Sequence, residues 1–308
     1  MRGRCHDEVV TDEVDMRNYE VIIPVYNPDK RFYIMLKRLL LQSVKPDKIN
    51  IILTLSEKYD EAAFIKGLAE HNIKSPVITV DAIEKSVFNH GGSRQKAAEK
   101  VKAGYTLFMT QDAVPYDSKL AEHMLAEFDN EKVAVSYARQ IPYKNATLRE
   151  KFARSYNYPE ESSIKDKKML DEGKIKAIFC SDVCAMYDMK IFKELKGFER
   201  ETDFNEDMLY ANRALLNEYL ISYCAEAEVY HSHNLSFTGQ FKRNKEIAHS
   251  QMEHPEVFEP LNSESEGLSF VKNGVKYMLD NGSVKDAAAF VTDCGFKFLG
   301  FKAGKLFK

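Results

Sequence analysis

Val21-Ile22-Ile23-Pro24-Val25 runs into Tyr26-Asn27-Pro28, and apolar residues then recur at Phe32, Met35, Leu36, Leu39 and Leu40. A short β-branched run without polar alternation suits a parallel strand buried on both faces. Pro24 lacks an N–H and limits pairing near the end of that strand. Asn27-Pro28 is a turn signal, and the spacing over residues 31–42 is helical. The unit is therefore strand, turn, helix, and it recurs. Further strands are expected at 49–55, 76–80, 105–110 and 133–137, with helices at about 60–69 and from a Ser93 cap to near Gly104. This alternation predicts an α/β fold with a mainly parallel sheet flanked by helices. Such sheets bind ligands beyond the carboxyl ends of their strands, which directs attention to Tyr26, Ser56, Asp112 and His231.

Residues 140–175 are polar and charged and read as a mobile excursion with some helix. A strand near 183–187, a helix over 205–217 and a strand over 220–231 follow. Residues 268–308 are helix-like, with Phe296, Phe298, Leu299, Phe301, Leu306 and Phe307 interleaved with Lys297, Lys302, Lys305 and Lys308. That pattern suits the surface of an anionic membrane; the alternative is a helix packed on the core. The expected organisation is a loose tail over 1–18, a domain over 19–260 and an amphipathic helical region over 261–308.

The chain has 308 residues, 44% hydrophobic and 30% charged, enough for a sizeable core. A net charge of -3 supplies no global basic field, so nucleic acid is not an expected partner. No apolar run reaches 18 residues, and the first 18 residues contain no apolar signal core. Cys5, Cys180, Cys184, Cys224 and Cys294 are odd in number and irregular in spacing, as expected of reduced thiols in a cytoplasm.

Four stretches could carry chemistry. Thr110-Gln111-Asp112-Ala113 places a carboxylate at a strand end, where it could hold a divalent cation bridging two phosphates, although aspartates at strand ends are common. Asn205-Glu206-Asp207 opens a helix; its carboxylates are either partners of the helix dipole or include a general base. His231-Ser232-His233 puts two imidazoles on one face of an extended segment, either a surface pair or partners of Asp112 on a metal. Phe88-Asn89-His90-Gly91-Gly92-Ser93-Arg94 precedes a helix; it is an ordinary capped loop, or a place where glycines admit a ligand to free N–H groups.

Taken together these segments resemble glycosyltransferase family 2, and within it the bacterial rhamnosyltransferases, over residues 19–255. Val21 to Asn27 is similar to the family's first strand and nucleotide-contacting turn. The 88–94 stretch followed by 110–113 looks like the rhamnosyltransferase signature. Gly197-Phe198 with Glu206-Asp207 and Arg213 resembles the catalytic-base segment, and 229–234 with Phe241-Lys242-Arg243 the closing segment. The resemblance implies a GT-A-type fold, a nucleotide-diphosphate sugar donor, a Mg or Mn ion and inversion at the anomeric carbon. It implies Asp207 as the base, Asp112 with His231 or His233 on the metal, and Pro24, Tyr26, Asn27, Gly91, Gly92, Arg94, Gln111 and Asp112 around the nucleotide sugar. Glu206 and Asp182 are expected to flank the acceptor, a glycan or lipid-linked precursor at the inner face of the plasma membrane.

Thr110 stands where the family's Asp-x-Asp has its first aspartate, which leaves one carboxylate on the ion. Asn244 replaces the tryptophan that follows Gln240-x-x-Arg243 in processive synthases, so a single addition is expected, with TDP-rhamnose the first donor to consider. A non-catalytic sugar-nucleotide-binding scaffold on the same fold is the alternative. A nucleotidyltransferase would want a glycine-rich basic loop after the first strand, which Tyr26-Asn27-Pro28-Asp29-Lys30 does not supply.

Overall fold

The computed structural model describes residues 17–262 and 264–306, so the tail expected over 1–18 lies almost wholly outside the described residues, as do Phe307 and Lys308. In chain order the elements are β1 (Tyr19–Val25), α1 (Lys30–Leu40), β2 (Lys48–Thr54), α2 (Glu61–Glu70), β3 (Ile78–Ile83), α3 (His90–Ala98), β4 (Tyr105–Met109), β5 (Val114–Pro115), α4 (Leu120–Ala126) and β6 (Val133–Ile141). Then come α5 (Leu148–Asn157), β7 (Ser163–Lys165), α6 (Lys167–Asp171), β8 (Cys184–Asp188), α7 (Met189–Glu194), α8 (Glu206–Leu216), β9 (Leu220–Tyr230), α9 (Phe237–Met252), α10 (Pro255–Phe258), α11 (Glu264–Asn281) and α12 (Val284–Leu306).

One sheet runs β3-β2-β1-β4-β8-β6-β9-β5, with β7 beside β9. β1 pairs in parallel with β2 and β4, and β2 with β3. β8 is antiparallel to both β4 and β6, and β6 is parallel to β9. It follows that β1, β2, β3, β4, β6 and β9 all point the same way and deliver their carboxyl ends to one edge. Because β8 is reversed, the segment just before it, containing Asp182, reaches that same edge.

The central strands β1, β4 and β8 are buried on both faces, which explains their apolar runs. In β1, Val21, Ile23 and Val25 join the core beneath α1, α2 and α4, while Ile22 joins the core beneath α3, α7 and α8. The same alternation splits Leu107 and Met109 from Phe108 in β4, and Met186 from Ala185 and Tyr187 in β8. Pairing of β1 with β4 stops at Ile22 opposite Phe108, two residues before Pro24, whereas pairing with β2 continues to Val25. The sheet therefore parts between β1 and β4, where the strand order reverses direction.

Three expectations need correction. The helix that contains Gly91 and Gly92 is capped by Asn89 and not Ser93, and it ends at Ala98. β6 extends past Tyr137 to Ile141 through a register shift at Ala138/Arg139, which carries Gln140 to the ligand edge. Residues 140–175 are built into the fold: α5 packs against α11 and α12 through Phe152, Met278 and Phe290.

At the other end, α12 packs along α9. Gly300 and Gly304 lie one turn apart, and a Cβ on either would run into the backbone carbonyl of Phe241 or Lys245, so both glycines let the helix backbones touch. Phe296 stacks on Phe237 with ring centroids 5.6 Å apart, which takes it out of the exposed aromatic set. Phe298, Leu299 and Leu306 remain exposed. None of the described helices is long and apolar enough to cross a membrane.

Candidate functional site

A cleft of about 390 Å³ opens where β1 and β4 part, lined by Pro24, Tyr26, Thr54, Phe88, Arg94 and Gln111 among others. Two turns form its lip. The backbone N–H of Tyr26 donates to Gln111 Oε1 at 2.8 Å, and Gln111 Nε2 donates to Tyr26 O at 3.0 Å. Asn27 adopts φ 45°, and its side chain accepts from Ser56 Oγ at 2.6 Å, tying the turn after β1 to that after β2. Lys85 holds its ammonium 5.1 Å from the centre of the Tyr26 ring.

Beside this cleft the ends of β4 and β9 bring three donors together. Asp112 Oδ2 lies 3.3 Å from His233 Nε2, Asp112 Oδ1 lies 3.6 Å from His231 Nε2, and the two Nε2 atoms are 3.0 Å apart. One ligand atom from each residue falls within 4.8 Å of the others. Burial holds the His231 imidazole well below its usual pKa, helped by the charges of Arg154, His233 and Arg243. Burial also lowers His233, against the pull of Asp112. Both rings are thus neutral near pH 7, the form that ligates a metal. One carboxylate and two neutral imidazoles fit a divalent transition ion such as Mn better than Mg, which prefers oxygen donors.

A second cluster sits at the start of α8. Asn205 adopts φ 65° and makes no side-chain cap, while within the first turn the side chain that accepts from backbone N–H groups is that of Asp207. Its Oδ1 accepts from Met208 N at 2.8 Å and its Oδ2 from Asp182 N at 3.1 Å. Those bonds favour the carboxylate, but burial and the neighbouring Glu206 outweigh them and push Asp207 up to about 7. Asp182 is 3% exposed and accepts from Tyr187 Oη at 2.6 Å; burial and Asp207 raise it well above the carboxylate range. Among the described residues the only cation in contact with this cluster is Arg94, with Nη1 3.1 Å from Glu206 Oε1 and Nε 3.7 Å from Asp182 Oδ2.

A cleft at the strand-order reversal, a carboxylate–imidazole group beside it and a half-buried carboxylate tuned toward neutrality form a coherent site for group transfer. Residues 20–196, more than half of the chain, match the family model described as "Glycosyl transferase family 2". This chain is a member of glycosyl transferase family 2. The glycosyltransferase is 32% identical over 287 residues to "O-antigen chain rhamnosyltransferase RfbN" of Salmonella typhimurium, a match covering 92% of this chain and 88% of that protein. It is also 32% identical over 293 residues to "O-antigen chain rhamnosyltransferase WbaN" of Salmonella anatum, covering 94% and 90%. Among solved structures it resembles a mannosyltransferase, PcManGT of Pyrobaculum calidifontis in complex with GDP-Man and Mn2+, with TM-score 0.57 and 11% identity over 94% of this chain and 85% of that one. That likeness bears on the fold, which is the α/β, GT-A-like arrangement expected.

Within this glycosyltransferase several expected site residues turn out to be engaged by the protein itself. Gly91 and Gly92 do not offer free N–H groups to a ligand: Gly91 N donates to Thr202 O at 3.0 Å and Gly92 N to Asn89 Oδ1 at 2.5 Å. Their missing side chains make room for the carbonyls of Glu199 and Arg200, which would collide with a Cβ. The glycines therefore join α3 to the loop leading into α8. Glu206 and Asp182, expected to flank an acceptor, are 6% and 3% exposed and face Arg94 and Tyr187. Arg94 lies at the floor of the cleft, 2% exposed, with both carboxylates for partners. Gln111 uses its amide on the Tyr26 backbone.

Sequence reasoning missed Gln140, Glu150, Arg154, Arg31 and Tyr143. Tyr143 Oη donates to Asp112 O at 3.4 Å, and the Arg31 guanidinium lies 6.0 Å from the Tyr143 ring centre. Those of 140–157 fell in the polar stretch, and no local pattern distinguishes a polar residue under a histidine from one in a loop.

Proposed function

We propose that the protein transfers a single sugar, with inversion, from a nucleoside-diphosphate donor to a hydroxyl of a glycan or lipid-linked precursor of a cell-surface polysaccharide. L-rhamnose from TDP-rhamnose is the donor this reading puts first, supported by the two relatives named as rhamnosyltransferases. The observation that carries the mechanism is Asp207, a carboxylate poised near neutrality at the ligand edge of the sheet. Asp207 takes the proton from the acceptor hydroxyl as that oxygen bonds to the anomeric carbon. The bond from that carbon to the diphosphate oxygen breaks on the opposite face, so the configuration inverts. Asp112, His231 and His233 would hold a divalent ion, which would offset charge on the departing diphosphate. Pro24, Tyr26 and Asn27 shape the nucleotide side of the cleft, with Gln111 bracing their turn. Arg94, Glu206 and Asp182 set the charge and position of Asp207.

Release of nucleoside diphosphate from TDP-rhamnose, UDP-glucose, UDP-galactose and GDP-mannose, each with Mn, Mg or EDTA, tests this reading. Turnover of TDP-rhamnose that needs metal, with Mn ahead of Mg, is expected, and Asp112→Asn should abolish it. Turnover of another donor would remove rhamnose and keep the mechanism. Donor binding by calorimetry without turnover of any donor, even with acceptor glycans supplied, would favour a non-catalytic binding subunit.

The exposed Phe298, Leu299 and Leu306, with Lys302 and Lys305 on the same stretch of α12, suit a peripheral seat on the anionic inner face of the plasma membrane. Each lysine is worth about 1 kcal/mol at such a surface, so Lys302→Gln with Lys305→Gln should weaken binding to phosphatidylglycerol vesicles about 30-fold. Sedimentation with anionic and with purely zwitterionic vesicles reads this. Equal binding to both, or none to either, would remove the membrane assignment.

A further inference from the structure

The support beneath the two histidines settles which nitrogen of His231 carries its proton. His231 Nδ1 lies 2.7 Å from Gln140 Oε1, and Arg154 Nη1 donates to that same oxygen at 2.5 Å. On its other side Gln140 Nε2 donates to Tyr158 Oη at 2.6 Å and to Ser181 Oγ at 3.0 Å. An arginine side chain can only donate, so the Gln140 atom that meets Arg154 must be the oxygen. An amide oxygen only accepts, so His231 Nδ1 must be the protonated nitrogen. Its Nε2 then carries a lone pair aimed at the space shared with Asp112 and His233.

Arg154 is itself held. Its Nε donates to Glu150 Oε1 at 2.8 Å, and that oxygen also accepts from the His233 backbone N–H at 3.2 Å. Gln140 is 2% exposed and Glu150 9%, so water does not compete for these bonds. Thus α5 and the end of β6 hold both members of the histidine pair, one by its ring and the other by its backbone.

We propose that Gln140, locked by Arg154, is a positioning residue that fixes His231 in the tautomer presenting its Nε2 lone pair beside Asp112 and His233. The consequence for metal binding rests on the site proposed above; the tautomer does not. A metal-ligating histidine whose other nitrogen is anchored in this way gains orientation and basicity, and removing the anchor typically costs 10–100-fold in metal affinity.

The test uses full-length protein labelled with 15N-histidine. Two-bond 1H–15N spectra of the metal-free protein report the tautomer of His231, assigned by the loss of its signals in His231→Gln. Wild type should show the proton on Nδ1. Gln140→Leu should lose that pattern and bind Mn2+, followed by electron paramagnetic resonance, roughly 10–100-fold more weakly. Gln140→Glu should keep both, since a carboxylate also accepts from Nδ1 and Arg154, and the Tyr158 and Ser181 hydroxyls can turn to donate to it. Arg154→Leu leaves Gln140 in place but frees its amide to turn, and should give mixed tautomers even if the Leu variant at 140 folds poorly. A wild-type proton on Nε2, or an Nδ1 proton unchanged in both Gln140→Leu and Arg154→Leu, overturns the proposal. If the tautomer shifts as expected but wild type binds no Mn2+, the lock stands and the metal assignment of the site falls.

Discussion

Asp207→Asn is expected to lower kcat by about 10²–10⁴, the usual contribution of a positioned general base. The group is expected to work near neutral pH because burial and Glu206 raise Asp207 to about 7, despite two backbone N–H groups that favour its charge. The sign follows from the role: a base acts unprotonated, so the wild-type rate should climb about tenfold per pH unit up to about 7 and level off above it. In the asparagine variant that limb should vanish. Donor binding should change little, since Asp207 does not line the cleft around Tyr26 and Phe88. Initial rates against pH, with donor affinity measured by calorimetry, read both effects. Retention of more than about a tenth of kcat, with the limb intact, would remove Asp207 from the role of base.

Arg94→Met is expected to cost about 3–5 kcal/mol of stability, because it leaves buried carboxylates without a cation. The side chain is 2% exposed and contacts Glu206 and Asp182, so solvent cannot replace it. The melting temperature should fall on the order of 10 °C. Two further signs follow. Arg94 favours the charged form of Asp207, so its loss should move the acid limb of the rate profile to higher pH. The stability deficit should also depend on pH. Carboxylates whose folded pKa is raised stabilise the fold below their unfolded pKa and lose that contribution as pH rises through the folded value. The deficit should therefore be small in mild acid and largest above neutrality. Arg94→Lys should recover only part of it, since an ammonium cannot span both carboxylates as the guanidinium does. Thermal melts of the three proteins at several pH values, beside their rate profiles, test the assignment; a melting temperature unchanged at every pH would show that Arg94 does not hold the cluster.

These expectations depend on contacts that differ in how far the sequence could announce them. The run from Val21 to Val25 and the helical spacing from Phe32 to Leu40 are local, and they were enough for the fold class. A strand buried on both faces must be apolar throughout, and a helix packed on one side must repeat every three or four residues. The motif stretches were legible for a related reason: Asp112 and His231 follow strands, and strand ends of such a sheet meet a ligand. Direction of a strand is not local. Nothing in Cys184 to Asp188 says that β8 runs against β4, yet that reversal is what returns Asp182 to the ligand edge.

The glycine pair shows the limit most clearly. Gly91 and Gly92 signal that something approaches closely, and the sequence cannot say whether it is a ligand or the carbonyls of Glu199 and Arg200. By itself the sequence determined the layers, the strand ends and which residue types could do chemistry there, because periodicity and turn chemistry act over a few residues. Only the tertiary structure decided that Arg94 serves the carboxylates, that Gln140 stands under His231, and that α5 braces the histidine pair. Those are questions of which donor meets which acceptor, and in a buried setting the answer depends on atoms brought together from distant segments, 91 residues apart in the case of Gln140 and His231.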